Sequence, residues 1–298
     1  MNIAIIGKGA WGRGIGAALE RNNHSITYIE RDKKWPENFT ADWIFVALPC
    51  QALRHRLLEL KLPQAPLISL TKGIEIETGL SASEVLRETA PEHGVVVLSG
   101  PSLAHEVEKG LPTALVAASH TENLARDAQL LLRSRTLRVY RSQDPMGVEL
   151  GGALKNIYAI AVGMAEGLQV GENGKAALVT RSLAEMVRLS ALWENKGAKK
   201  ETFFGLSGMG DLVLTAYSKH SRNHQIGLAI AQGKGLHQAL SESAGVAEGV
   251  FTTRALHDIV RQRQVRAPIL IEIYRVLYES KAPQLALNDL MTREVEQE

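Results

Sequence analysis

The sequence predicts an α/β fold: a doubly wound, mostly parallel sheet over residues 1–143, followed by an all-α region over 144–298. Three observations lead there. Short continuous apolar runs alternate with helical stretches through the first half of the chain. The first run ends in a glycine-rich turn that opens a helix, which makes the sheet Rossmann-like. Near residue 143 the β-like runs stop, and helical periodicity takes over with no long linker, repeat or low-complexity segment between.

The strand candidates are "NIAII" (2–6), "SITYI" (25–29), "WIFVAL" (43–48), "LISL" (67–70), "VVVL" (95–98), "ALVAA" (114–118) and "LRVY" (137–140). Continuous apolar runs suit strands covered on both faces, and their alternation with helices suits parallel crossovers. Within this half, "SASE" at 81–84 forms a capping box, in which Ser81 caps a helix and Glu84 reaches back. Helices are expected over 145–165, 174–193, 211–217, 222–232, 247–263 and 268–279. The segment "GLSGMG" (205–210) reads as a glycine-rich turn leading to Asp211.

The first turn, Gly7-Lys8-Gly9-Ala10-Trp11-Gly12, carries the spacing of a dinucleotide-binding loop. Gly7 permits the tight turn, Gly9 lets the backbone approach a pyrophosphate, and Gly12 allows close packing of helix on strand. The free N–H groups at the helix start favour phosphate. Trp11 either covers the nucleotide or packs on the sheet, and its place between two glycines favours the former. At the end of the second strand, Glu30 and Arg31 stand side by side. An acid there bonds the ribose hydroxyls of NAD, whereas a cation pairs with the 2′-phosphate of NADP. Both cofactors stay open on this reading.

Further loops follow strand ends, where open α/β sheets bind ligands. "SLTKGIE" places Lys72 in one, and "LSGPSLAHEV" places Gly100 and Ser102 in another. "LGGALKNIYAIAVG" (150–163) then sets Lys155 and Asn156 in a segment that otherwise reads as buried helix. An ammonium group there either snorkels to water or is wanted in a cleft. "GLSGMGDLVLT" leads to Asp211 and Thr215. "SRN" offers Ser221, Arg222 and Asn223 at a helix start, a combination suited to phosphate. Glu248 opens a later helix. His220 and His224 have metal-pair spacing but no third ligand, so no metal is expected.

Lys and Arg number 34 against 32 Asp and Glu, with no basic arm, which argues against a nucleic-acid partner. The single cysteine, Cys50, excludes an intrachain disulfide and a cysteine-rich zinc site. The opening residues lack the basic start of a signal peptide, and no apolar run has the length of a membrane span. A cytoplasmic location is the expectation.

The blocks "GKGAWG", "DWIFVALPCQAL", "KGIE", "GPSLAHEV", "LGGALKNIYAIAVGMAEGL", "AALVTRSLAEMVRL", "GLSGMGDLVLT", "SRN" and "AEGVFTTRAL" occur in the order seen in bacterial-type NAD(P)-dependent glycerol-3-phosphate dehydrogenases. The resemblance spans nearly the whole chain. It implies reversible hydride transfer between NAD(P)H and dihydroxyacetone phosphate, giving sn-glycerol 3-phosphate for glycerophospholipid synthesis, with NADPH slightly favoured. It implies Lys155 as acid–base beside Asp211. Cofactor positions fall on Ala10, Trp11, Arg31, Lys72, Ala104, Arg222 and Glu248, and substrate positions on Lys72, Gly100, Ser102, Asp211, Ser221, Arg222 and Asn223. A homodimer is implied as well.

The chain departs from the family between Arg31 and the third strand, where only "DKKWPENFTAD" intervenes and members usually carry a longer insert. Two other readings remain: a reductase of a 2-keto or 3-hydroxy acid on the same plan, and a nicotinamide-nucleotide sensor without chemistry. The first would need a carboxylate site in place of "SRN", and the second has no use for a buried Lys–Asp pair.

Overall fold

A computed structural model describes residues 1–294; the last four residues of the helical region expected over 144–298 lie outside the described residues. The first half alternates β1 (Asn2–Ile6), α1 (Ala10–Arg21), β2 (Ser25–Ile29), β3 (Trp43–Val46), α2 (Cys50–Leu58), β4 (Leu67–Ser69), α3 (Ala82–Thr89), β5 (Val95–Ser99), α4 (Ala104–Glu108), β6 (Thr113–Ala118), α5 (Glu122–Leu132) and β7 (Leu137–Ser142). All seven expected strands form, with ends shifted by no more than two residues.

The strands make one sheet in the order β2-β1-β3-β4-β5-β6-β7. Every neighbouring pair is parallel except β5 with β6, where Ser99 faces Val116 in antiparallel register. The chain runs one way from β1 to β2 and the other way from β3 onward, so a crevice opens between the ends of β1 and β3. Because β6 turns back, the whole connection that carries Gly100, Ser102 and Ala104 lies on the same rim of the sheet. Both faces are covered, as continuous apolar strands require. Ile3, Ile5, Phe45 and Leu98 pack toward α1, α4 and α5. Ala4, Ile6, Ile44 and Val46 pack toward α2 and α3. Glu84 accepts from the Ser81 N–H at 2.9 Å, the reach-back of the expected capping box.

The second half is helical: α6 (Pro145–Gly167), α7 (Gly171–Leu189), α8 (Asp211–Tyr217), α9 (Arg222–Ala231), α10 (Leu236–Ser241), α11 (Glu248–Gln262), α12 (Pro268–Tyr278) and α13 (Pro283–Thr292). Two of these, α10 and α13, go beyond the sequence expectation. Every residue of α6 from Pro145 to Ala165 is buried, which makes it the axis around which α7, α8, α9, α11 and α12 pack. Asp144 caps it, accepting from the Gly147 N–H at 2.7 Å, and the same carboxylate takes the Lys199 N–H at 3.0 Å and the Thr202 hydroxyl at 2.6 Å. It thereby anchors the segment leading to residues 206–210. That segment, expected as a turn, is a wide π-helical turn running directly into α8.

Candidate active site

Lys155 projects from the middle of α6 and is buried, which answers whether its head reaches water. Its Nζ donates to the Thr215 hydroxyl at 2.5 Å and lies 3.1 Å from Asp211 Oδ1. Thr215 in turn donates to Asp211 Oδ1 at 3.3 Å. The other carboxylate oxygen, Oδ2, receives Lys72 Nζ at 2.6 Å. Lys72 also donates to the Gly100 carbonyl at 3.2 Å, so the loops after β4 and β5 meet α6 and α8 at one carboxylate.

The charges set each other. Burial pushes the Lys155 ammonium down, Asp211 pulls it back, and Lys72 and Arg222 push it down again, leaving it lowered from 10.5 to about 8. For Asp211, burial favours the neutral acid. The cations of Lys155 and Lys72 outweigh that and hold the carboxyl below the usual carboxylate range. The pair is therefore ionised near neutrality, with the lysine poised close to losing its proton.

A second set of contacts fixes the helix starts around this cluster. Asn223 Nδ2 donates to Asn156 Oδ1 at 2.9 Å, while Asn223 Oδ1 accepts from the Gly249 N–H at 2.9 Å. Asn156 Nδ2 lies 3.3 Å from the Gly152 carbonyl. This chain ties α6, α9 and α11 together. Ser221 caps α9, accepting from the His224 N–H at 3.2 Å. The Arg222 guanidinium lies against the loop before α11, close to Gly245. Glu248 accepts from the Cys50 N–H at 3.0 Å through Oε1, and its buried Oε2 has no partner among the described residues. Burial raises its carboxyl to about 7, against the Cys50 N–H and the charge of Arg222.

The glycine turn follows β1 into the crevice. Gly7 has φ of +102°, and a Cβ on it would lie 2.6 Å from the Ala47 carbonyl oxygen; a Cβ on Gly12 would lie 2.2 Å from the Gly7 carbonyl oxygen. Beyond Gly9 the space is open. Among the described residues no side chain caps α1, whose N-cap is Gly9. These features fit a dinucleotide's pyrophosphate. Trp11 lies in the first turn of α1, half-buried, with its ring against the core on one face of the sheet, and its buried Nε1 has no partner among the described residues. Ala104 packs its backbone against Gly14 of α1.

The structure thus gathers Lys72, Gly100, Lys155, Asp211 and Thr215 at one point, and Asn156, Asn223, Ser221, Arg222 and Glu248 beside it. Ser102 bonds within its own loop, to the Gly100 carbonyl at 3.0 Å. Arg31 is exposed on the segment after β2 and joins neither group. The two α9-region histidines do not converge: His224 bonds the Ala216 carbonyl at 2.7 Å, and the His220 ring lies 4.5 Å from that of His105. Sequence reasoning gave no site role to Cys50, whose backbone N–H holds Glu248; it stands in the block "DWIFVALPCQAL", but a backbone contact leaves no mark on residue type.

A family model for the C-terminus of NAD-dependent glycerol-3-phosphate dehydrogenase matches residues 144–288, and one for the N-terminus matches residues 37–125. The glycerol-3-phosphate dehydrogenase [NAD(P)+] of Trichormus variabilis is 42% identical, over 99% of this chain and 98% of its own length. That of Syntrophotalea carbinolica is 40% identical, over 100% and 99%. The solved glycerol-3-phosphate dehydrogenase of Coxiella burnetii superposes with a TM-score of 0.89 at 31% identity, covering 98% of this chain and 99% of that one. A ketopantoate reductase from Ralstonia eutropha, 16% identical with a TM-score of 0.59, shares the fold alone. Glycine turn, buried lysine and full-length similarity agree: the chain belongs to the NAD(P)-dependent glycerol-3-phosphate dehydrogenase family.

Proposed function

We propose that this protein interconverts dihydroxyacetone phosphate and sn-glycerol 3-phosphate with NAD(H) or NADP(H), using Lys155 as the acid–base. The observation that carries this reading is the single buried carboxylate of Asp211 holding both Lys155 and Lys72 at the sheet rim.

Gly7, Gly9, Ala10, Trp11 and Gly12 would hold the dinucleotide, with Lys72, Ala104, Arg222 and Glu248 bordering it and Arg31 reaching its adenosine end. When bound, the nicotinamide supplies or takes up the hydride. Lys155, protonated below about pH 8, gives its proton to the substrate's carbonyl oxygen as that oxygen gains charge. In the reverse direction the neutral amine takes the hydroxyl proton. Asp211 stays ionised throughout and keeps the lysine aimed, with Thr215 as the third point of support. Lys72 adds a positive charge beside the substrate. Arg222 grips phosphate by its planar fork, aided by Asn223, Ser221 and the start of α9. Asn156 orients Asn223, and Gly100 and Ser102 leave room for the small substrate.

In this reading residues 1–143 form the dinucleotide-binding domain and 144–298 the substrate domain. The product feeds glycerophospholipid synthesis, and the enzyme works in the cytoplasm as a homodimer without nucleic acid. Among the described residues no helix is long and apolar enough to cross a membrane. The test is loss of reduced-nicotinamide absorbance when purified protein meets dihydroxyacetone phosphate, with NADPH and NADH in parallel and unphosphorylated dihydroxyacetone as control. Rapid oxidation that requires the phosphate supports the reading; folded protein that oxidises neither cofactor overturns it.

A further inference from the structure

Lys8 is the one charged residue inside the glycine turn, between Gly7 and Gly9, and neither the turn nor the core calls for it. Its Nζ lies 3.4 Å from Glu30 Oε1 and 5.5 Å over the centroid of the Tyr28 ring. Backbone contacts fix both partners: Arg13 Nη1 donates to the Lys8 carbonyl at 3.0 Å, and Arg56 Nη2 donates to the Glu30 carbonyl at 3.0 Å. Arg56 also holds the Lys33 carbonyl, which closes the short segment after β2. Arg31, next to Glu30, is exposed, and among the described residues its side chain forms no hydrogen bond or ion pair.

Glu30 ends β2, the place from which an acid reads ribose hydroxyls and repels a 2′-phosphate. Here that acid is engaged by a cation from the turn itself. With Lys8 and Arg31 against Glu30, the ribose end of the crevice carries more positive than negative charge. We propose that Lys8 is the specificity-determining residue for the cofactor: by engaging Glu30 and facing the ribose beside Arg31, it makes this end a site for a 2′-phosphate and tilts the enzyme toward NADP(H). The inference rests on the dinucleotide site of the proposed function and adds to it the residue that selects between the two cofactors.

A phosphate monoester carries close to two negative charges at neutral pH, so the gain from one exposed ammonium is moderate and sensitive to salt. The experiment measures dissociation constants by calorimetry for NADP⁺ and NAD⁺, and for adenosine 2′,5′-bisphosphate against 5′-AMP, which need no turnover. Wild type is compared with Lys8→Ala, Lys8→Arg and Glu30→Gln. Lys8→Ala is expected to weaken the 2′-phosphorylated ligands roughly tenfold, and the others less than about twofold, an effect that shrinks in high salt. Lys8→Arg should keep the preference, and Glu30→Gln should strengthen it. If Lys8→Ala, with an unchanged melting temperature, leaves the ratio of the two constants where it was, the proposal is wrong. If wild type binds neither dinucleotide, the nucleotide site itself is misread and the proposal falls with it.

Discussion

Lys155 is held between opposing forces, and each of its neighbours has a signed effect that can be measured. Because it is lowered to about 8, the rate of ketone reduction should fall as pH rises through that value, while glycerol 3-phosphate oxidation gains as the neutral amine appears. Asp211 raises the lysine and Lys72 lowers it. Asp211→Asn should therefore move this limb to lower pH, and Lys72→Met should move it to higher pH, whatever either does to the maximal rate. Midpoints that stay fixed in both variants would remove Lys155 from the titration. Lys155→Met should cost roughly 10²- to 10⁴-fold in turnover with the fold intact, as judged by circular dichroism. At this scale the sequence was legible in part. Residue types and loops pointed to Lys155, Asp211 and Arg222, but the sharing of one carboxylate by two lysines is a fact of tertiary placement. So is the Asn156–Asn223–Gly249 chain, because its members come from three helices far apart in the chain.

The elements that carry these side chains are positioned by α6 and α9, which cross in backbone contact. A Cβ on Gly163 would lie 2.0 Å from the His224 carbonyl oxygen, and one on Gly227 would lie 2.0 Å from the Ile160 carbonyl oxygen. Neither oxygen can step aside without moving its helix. Gly227→Ala should therefore destabilise the protein by about 1–3 kcal/mol, the usual cost of overpacking, in urea denaturation. It should also raise the KM for dihydroxyacetone phosphate severalfold, since the start of α9 carries Arg222 and Asn223. Unchanged stability and KM together would mean the crossing is looser than these distances imply. The glycines were visible in the sequence, but nothing local distinguishes a crossing point from a flexible joint. The same limit explains the other differences. The three glycines at 205, 208 and 210 suggested a turn, yet Gly208 packs against the Phe203 backbone inside a wide helical turn. Helix α10 spans six residues, and in α13 only Ala286 is buried, so neither gives a sustained apolar stripe. Strands were easier, because burial on both faces demands continuous apolar runs.

Across the whole molecule, buried titratable groups make stability depend on pH in a direction opposite to ordinary acid denaturation. Glu185 is fully buried and accepts from the Leu270 N–H at 2.8 Å, the Ile269 N–H at 3.1 Å and the Tyr158 hydroxyl at 3.2 Å. Burial still outweighs these bonds and raises its carboxyl to about 7, as it does for Glu248. A carboxyl whose folded value lies above its unfolded one stabilises the fold fully below the unfolded value, and that contribution is lost as pH rises through the folded one. Each of the two should therefore withdraw a few kcal/mol at most between about pH 4.5 and 7. Lys155 works in the other sense: lowered in the fold, it returns stability as pH rises from about 8 toward its unfolded value. Asp211 and Glu75, both held below the usual carboxylate range, lose their contribution only in acid. Urea midpoints of the ligand-free protein should thus fall toward neutrality and recover above pH 8. Glu185→Gln should flatten the descending side, and Lys155→Met should remove the rise. A wild-type profile that is level from pH 5 to 10 would show that these groups keep water around them. The fold class was legible from strand spacing and the glycine turn, whereas this pH dependence was not. It arises because α6 serves both as the apolar axis of the helical half and as the carrier of the reactive lysine.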